Sequence, residues 1–206
     1  MLRDEPIEFD LVNRETVFSG RIWDVREDTF KFGDQHLVRD YLVHPGAVGV
    51  IALNDLGQLL LVQQYRRSLG KMMWEPPAGL LDVPGEDPLD AAKRELQEET
   101  GYIASDWRVL FDFAPSAGGS NEQIRCYLAT GLELHEEGRP AAEGEEENMK
   151  VQWVPVGEVM QAIQAGTISN SLLITGTFAL LAAMADPDAI VRPADAPWIA
   201  RDNSAN

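Results

Sequence analysis

Apolar and polar residues alternate along much of the first half of the chain, shift to a helical period between residues 87 and 101, and end in two apolar helical stretches. Residues 1–14 are polar and read as loosely held, and residues 15–43 read as strands. Within that region, segments 22–25 and 36–43 lie on either side of Gly33 and Asp34, a turn pair that predicts a hairpin. Two apolar runs, 47–53 and 58–65, surround Asn54-Asp55-Leu56-Gly57 and predict a pair of central hairpin strands. Trp74, Glu75, Pro76, Pro77, Ala78 and Gly79 then form an extended lead-in, because two prolines remove backbone donors and disfavour helix. Residues 107–114, 123–130 and 151–154 read as further strands, with a Gly/Ser loop at 115–121 and a long polar segment at 133–148. Residues 156–165 and 170–185 predict two helices broken at Gly166, and the proline-bearing tail from Asp186 reads as irregular. Mixed strands flanked by one middle helix and two later ones predict an α/β/α sandwich behind a small antiparallel β region. The expected division is a β region at 1–44, a main domain at 45–186 and a tail at 187–206.

The middle helix carries the strongest local signals. Asp87 suits the N-cap, Pro88 the first helical position and Gly101 the position after the end. Leu89, Ala92 and Leu96 make an apolar stripe for the core. Glu95, Glu98 and Glu99 stand at i, i+3 and i+4, so their carboxylates share one face. Like charges so placed repel by roughly 0.2–0.5 kcal/mol per pair. Oxygen-only ligands at this density suit Mg²⁺ or Mn²⁺ rather than zinc. The competing explanation is a solvated acidic face.

Composition narrows the setting. The chain has 206 residues, 45% of them hydrophobic, which fits one ordinary globular domain with a full core. A formal net charge of −17 argues against nucleic-acid binding through a basic surface. Cys126 is the single cysteine, so no internal disulfide forms and a reducing compartment is expected. The N-terminus is charged and lacks an apolar signal region, and the longest apolar run, 172–185, is too short to span a bilayer. A cytoplasmic protein with no membrane partner is expected.

An acidic protein that acts on an anionic phosphate substrate must neutralise it with metals and a few placed arginines. Arg66, at the end of an apolar run, is the candidate grip on phosphate oxygens, since a guanidinium binds them bidentately. Arg39 is a weaker candidate, reaching across from a partner chain. Trp23 is the aromatic of the front region suited to stack on a nucleobase, the others packing a small sheet. Glu122, close to Ser120, is a candidate to accept from ribose hydroxyls or to order its loop. The prolines before Ala78 leave its carbonyl free to face a metal. A general base must be a carboxylate able to reach water. Glu145, Glu146 and Glu147 in the polar segment are the candidates.

The stretch from Gly79 to Tyr102 resembles the Nudix box. Arg94, Glu95, Leu96, Gln97, Glu98, Glu99, Thr100, Gly101 and Tyr102 match its second half, and Glu86 stands eight residues before Arg94 as the pattern requires. Six residues rather than five separate Gly79 from Glu86. Among Nudix enzymes the chain is most similar to bacterial, and especially actinobacterial, ADP-ribose pyrophosphatases. Residues 74–82, the end of the 58–65 run with Arg66, the 116–122 loop and residues 145–153 carry that likeness. The resemblance implies a Mg²⁺-dependent hydrolase that cleaves ADP-ribose to AMP and ribose 5-phosphate. Another nucleoside diphosphate sugar, or a dinucleotide or related diphosphate, is the alternative. It implies that Glu95 and Glu99 bind metal with Glu98 assisting, and that the Ala78 carbonyl completes the site. It places the base at Glu145 and gives Glu147 a supporting metal role. Relatives in this branch are dimers with exchanged front strands, so a homodimer is implied. A non-catalytic regulator that binds ADP-ribose and DNA is disfavoured, because Arg192 and Arg201 are the only Lys or Arg residues in 186–206.

Overall fold

The computed structural model describes residues 2–141, 149–186 and 191–202. The chain divides into two compact units: Met1–Gly46 with Phe113–Ile124 and Pro197–Asn206, and Ala47–Asp112 with Arg125–Ala196.

The first unit holds strands β1 (Leu11–Ser19), β2 (Asp24–Phe32) and β3 (Gln35–Val43) in one antiparallel sheet of that order. The predicted hairpin is β2–β3, closed by Gly33 at φ 59° and Asp34, with Phe32 opposite Gln35. Glycine at the first central position fits the turn that matches strand twist. Arg14 donates two 2.8 Å hydrogen bonds to Asp28 across β1 and β2. Phe9 lies 5.5 Å from Phe30 and 5.3 Å from Phe32, while Phe18 and Phe32 stay exposed, so the expected packing of the front aromatics is met only in part. Every residue of β1 is nevertheless exposed. β3 is tied to the 113–124 segment by Leu42 N–H on Gly119 O at 2.9 Å. A short helix α4 (Ile199–Asp202) places Arg201 against the Pro45 carbonyl at 3.0 Å.

The second unit holds β4 (Ala47–Ala52), β5 (Gln58–Arg66), β6 (Lys71–Glu75), β7 (Ala78–Leu80), β8 (Tyr102–Phe113), β9 (Ile124–Leu134), β10 (Lys150–Pro155) and β11 (Arg192–Pro193). Its helices are α1 (Pro88–Thr100), α2 (Val156–Gln164) and α3 (Ser171–Ala185). One sheet runs β11-β8-β9-β4-β7, the other β10-β5-β6. Strand β4 is buried throughout and sits between α1 and α3. Val48, Val50 and Ala52 join Ala92 and Leu96 of α1 in the core. On the opposite face, side chains of α3 and β4 press so close that a Cβ at Gly49 would lie 2.4 Å from Leu172, and one at Gly176 would lie 2.5 Å from Ile51. The expected α/β/α sandwich with a mixed sheet is the observed architecture. No helix among the described residues is long and apolar enough to cross a membrane.

Three expectations change. The runs predicted as one central hairpin belong to different sheets and share only the bridge Leu53–Leu59. Asn54 explains this, because its side-chain oxygen accepts from Leu56 N–H and Gln58 N–H at 3.0 and 2.9 Å and sets a turn that leads β5 away to β6 and β10. β8 begins at Tyr102 and β9 runs to Leu134, both longer than the apolar pattern suggested. The tail contributes β11, where Arg192 meets Asp112 at 2.8 Å, and Asp112 also binds buried Arg125 at 2.8 Å.

Candidate active site

Helix α1 is built as its sequence dictates. Asp87 accepts from Leu89 N–H at 2.8 Å, Pro88 opens the helix, and Gly101 closes it at φ 78° with its N–H on Gln97 O. Ala91, Ala92 and Leu96 are buried, and so are Glu99 and Thr100. The burial of Glu99 is the informative departure from a plain amphipathic helix. Its carboxylate accepts from Ala78 N–H on β7 at 3.0 Å, which meets the requirement that a buried charge be hydrogen-bonded.

The extra residue between Gly79 and Glu86 is absorbed in a turn. Pro84 and Gly85, at φ 79°, stand inside a Glu86 N–H to Val83 O bond of 3.2 Å. Proline then positive-φ glycine is the pairing a type II turn uses. Glu86 is thereby delivered to Arg94, which binds it through Nε and Nη2 at 2.9 and 3.0 Å. The Arg94 Nη1 also donates to Glu95 at 2.7 Å and to Glu98 at 3.0 Å. One guanidinium thus holds three of the box carboxylates. The Glu86 hydrogen bond is the main cause that raises the Arg94 pKa, and the same bond lowers that of Glu86.

In this arrangement no three acidic, histidine or cysteine side chains among the described residues converge as a metal cluster. Arg94 neutralises Glu95 and Glu98, and the Ala78 N–H donates a hydrogen bond to Glu99. The donor set still fits a hard divalent cation, being carboxylate oxygens on one helix face beside the β7 backbone. Gly79 makes the room: a Cβ there would stand 2.0 Å from the Glu95 carboxyl carbon.

Arg66 is bidentate on Glu75, with Nε at 2.9 Å and Nη2 at 2.5 Å from its two oxygens. Glu75 is buried and was not singled out in the sequence, where a lone acid before two prolines gives no periodic signal. Glu145, Glu146 and Glu147 lie in 142–148, outside the described residues. In the first unit, Trp23 stacks on the face of the His44 ring and Glu122 lies near its Nε2 edge. His44 too escaped the sequence reading. Arg39 donates to the Val38 carbonyl at 2.7 Å and joins neither group.

The fold and this glutamate-bearing helix agree with comparison to known proteins. The NUDIX domain model matches residues 43–173. The ADP-ribose pyrophosphatase of Mycobacterium tuberculosis is 42% identical over 198 residues, 94% of this chain and 93% of that protein. The methanol dehydrogenase activator of Bacillus methanolicus is 37% identical over 161 residues, 78% of this chain and 85% of that protein. A crystal structure titled ADP compounds hydrolase superposes with a TM-score of 0.75 at 21% identity, covering 90% of this chain and 98% of that one, and so shares the fold. The domain match spans well over half the chain and takes in every residue of the box, which makes this protein a member of the Nudix family.

Proposed function

We propose that this Nudix protein is a Mg²⁺-dependent pyrophosphatase, with Mn²⁺ as a working substitute, that hydrolyses ADP-ribose to AMP and ribose 5-phosphate. The observation that carries the reading is the near-full-length similarity to a relative named ADP-ribose pyrophosphatase. The buried, backbone-anchored Glu99 beside Glu95 and Glu98 supports it. Glu95, Glu98, Glu99 and the Ala78 carbonyl would hold the cation, with Glu147 in support. Bound there, a divalent cation supplies charge neutralisation at the diphosphate and a more acidic water.

The protein's own groups have the remaining tasks. Glu145 takes the proton from the attacking water as general base. Arg66, held by the bidentate bond to Glu75, binds the phosphate oxygens. Arg94 keeps the acid cluster from repelling itself apart. Trp23 stacks on the nucleobase, Glu122 accepts from ribose hydroxyls, and Arg39 serves a partner subunit's substrate.

The working form is proposed as a cytoplasmic homodimer that exchanges its front strands and has no nucleic-acid or membrane partner. The wholly exposed β1 supports the dimer, because a strand with nothing covering it lacks a core of its own. The proposed division stays at 1–44, 45–186 and 187–206.

A panel of ADP-ribose, other ADP-sugars, GDP-mannose and dinucleotides, assayed with and without Mg²⁺ and read by product analysis, tests the reading. The expected result is highest kcat/KM on ADP-ribose, with AMP as product and no turnover in excess chelator. Preference for another diphosphate overturns the substrate assignment. Metal-independent turnover overturns the mechanism.

A further inference from the structure

We infer that His44 is a positioning residue: it sets the Trp23 indole and the Glu122 carboxylate together for one nucleoside. The inference rests on the proposed roles of Trp23 and Glu122 as substrate contacts. It deepens that reading by naming the group that presents them.

The imidazole of His44 is held on one face and at both nitrogens. The Trp23 indole stacks on it with ring centroids 4.4 Å apart and planes 17° from parallel. Its Nδ1 accepts from Gly46 N–H at 3.0 Å. An accepting Nδ1 carries no proton, so in the neutral ring the proton is on Nε2. Nε2 faces Glu122 Oε1 at 3.4 Å. The His44 N–H donates to the Asn121 side chain at 2.7 Å, which ties the same residue to the 113–124 segment. Gly46 is suited to its part because it sits at φ 94°, a conformation that side-chain-bearing residues rarely adopt. Its turn brings an amide back onto the ring two residues earlier.

The chemistry follows from that placement. His44 has a side chain only 9% exposed, and burial lowers its pKa, so it stays a neutral ring. The neutral ring stacks on the indole and at once turns its Nε2 edge toward Glu122. Trp23 remains partly exposed, leaving ring surface for a planar base. Glu122 keeps a second oxygen for vicinal hydroxyls, the pair of groups a ribose presents. Without His44 both side chains must be ordered when the ligand arrives. That cost falls on binding and leaves the chemical step alone.

The test combines steady-state kinetics on ADP-ribose with Trp23 emission, taken as the wild-type spectrum minus that of Trp23→Phe. His44→Ala removes the stack, the Gly46 hydrogen bond and the Nε2 that faces Glu122; His44→Phe keeps a ring and loses both nitrogens, and guards against poor folding of the first variant. His44→Ala is expected to raise KM about three- to tenfold, the range of a ring–ring coupling. Its kcat stays within about twofold, as for a group that orders the bound state, and Trp23 emission moves to the red. His44→Phe falls between. Wild-type KM in both variants, with Trp23→Ala impaired, overturns the role of His44 alone. Wild-type KM in Trp23→Ala overturns the reading of Trp23 as a substrate contact, and this role of His44 with it.

Discussion

Gly79→Ala isolates the geometry of the acidic helix from the stability of the fold. Gly79 has no positive φ, so alanine costs no backbone strain there. The added methyl would stand 2.0 Å from both the Glu95 carboxyl carbon and its Oε1, where ordinary contact begins at 3.4 Å. The carboxyl group must therefore withdraw by about 1.4 Å. It is the free end of a flexible side chain, so the protein yields by a rotamer change of about 0.5–1.5 kcal/mol. The shift also strips Glu95 from Arg94, a pair now 2.7 Å apart. The fold survives while the proposed metal ligand is misplaced. Displacing a catalytic group by about 1 Å costs on the order of 10²-fold in rate. The expected variant melts within a few degrees of wild type yet loses about 10²-fold in kcat/KM on ADP-ribose, with weaker Mg²⁺ activation. Calorimetry and a Mg²⁺ titration of initial rate provide both readings. Full activity at unchanged Mg²⁺ dependence would refute the claim that Gly79 seats Glu95 for catalysis.

Four further outcomes are expected. Glu99→Gln keeps an oxygen for the Ala78 N–H and so folds normally. It loses the charge worth several kcal/mol at the transition state, and turnover falls about 10³-fold in a stopped assay. Glu145→Gln loses at least ~10²-fold; full activity there with failure of Glu146→Gln or Glu147→Gln would move the base to that neighbour. Asp112→Ala removes the carboxylate paired with buried Arg125, whose side chain is 4% exposed, and denaturant unfolding should register a loss of about 3–5 kcal/mol. Burial holds the folded-state pKa of His44 below its ordinary 6.5, so the unfolded chain takes up that proton first. The His44 contribution is complete above pH 6.5 and declines as pH falls through that value. Burial raises Glu122, so its contribution is complete below 4.5 and is lost as pH rises above that value. Urea midpoints of wild type and His44→Phe at pH 7.5 and 5.5 should therefore show wild type losing more on acidification.

The sequence carried α1 almost completely because its instructions are local: a capping carboxylate at Asp87, a proline that fits the first turn, and a glycine at Gly101. The sandwich was legible for a related reason, since helical and strand periods change cleanly at those ends. Strand pairing was not. The runs of β4 and β5 are apolar on both faces, so neither records which neighbour it bonds, and the turn at Asn54 decides the matter through two side-chain hydrogen bonds. The shared face of Glu95, Glu98 and Glu99 was visible from spacing, but the Arg94 grip on three carboxylates depends on a turn at Pro84-Gly85 that returns Glu86 to the helix. Glu75 and His44 escaped notice because each acts through a partner distant in sequence and belongs to no periodic pattern.

Hydrolysis as proposed requires that oxygens of α1 bind a divalent cation. A Mn²⁺ titration followed by electron paramagnetic resonance, on wild type and on Glu95→Gln/Glu99→Gln, asks this directly. Saturable binding in wild type that disappears in a double variant with unchanged melting is the predicted result. Equal binding in both proteins, or none in either while hydrolysis proceeds, would contradict it.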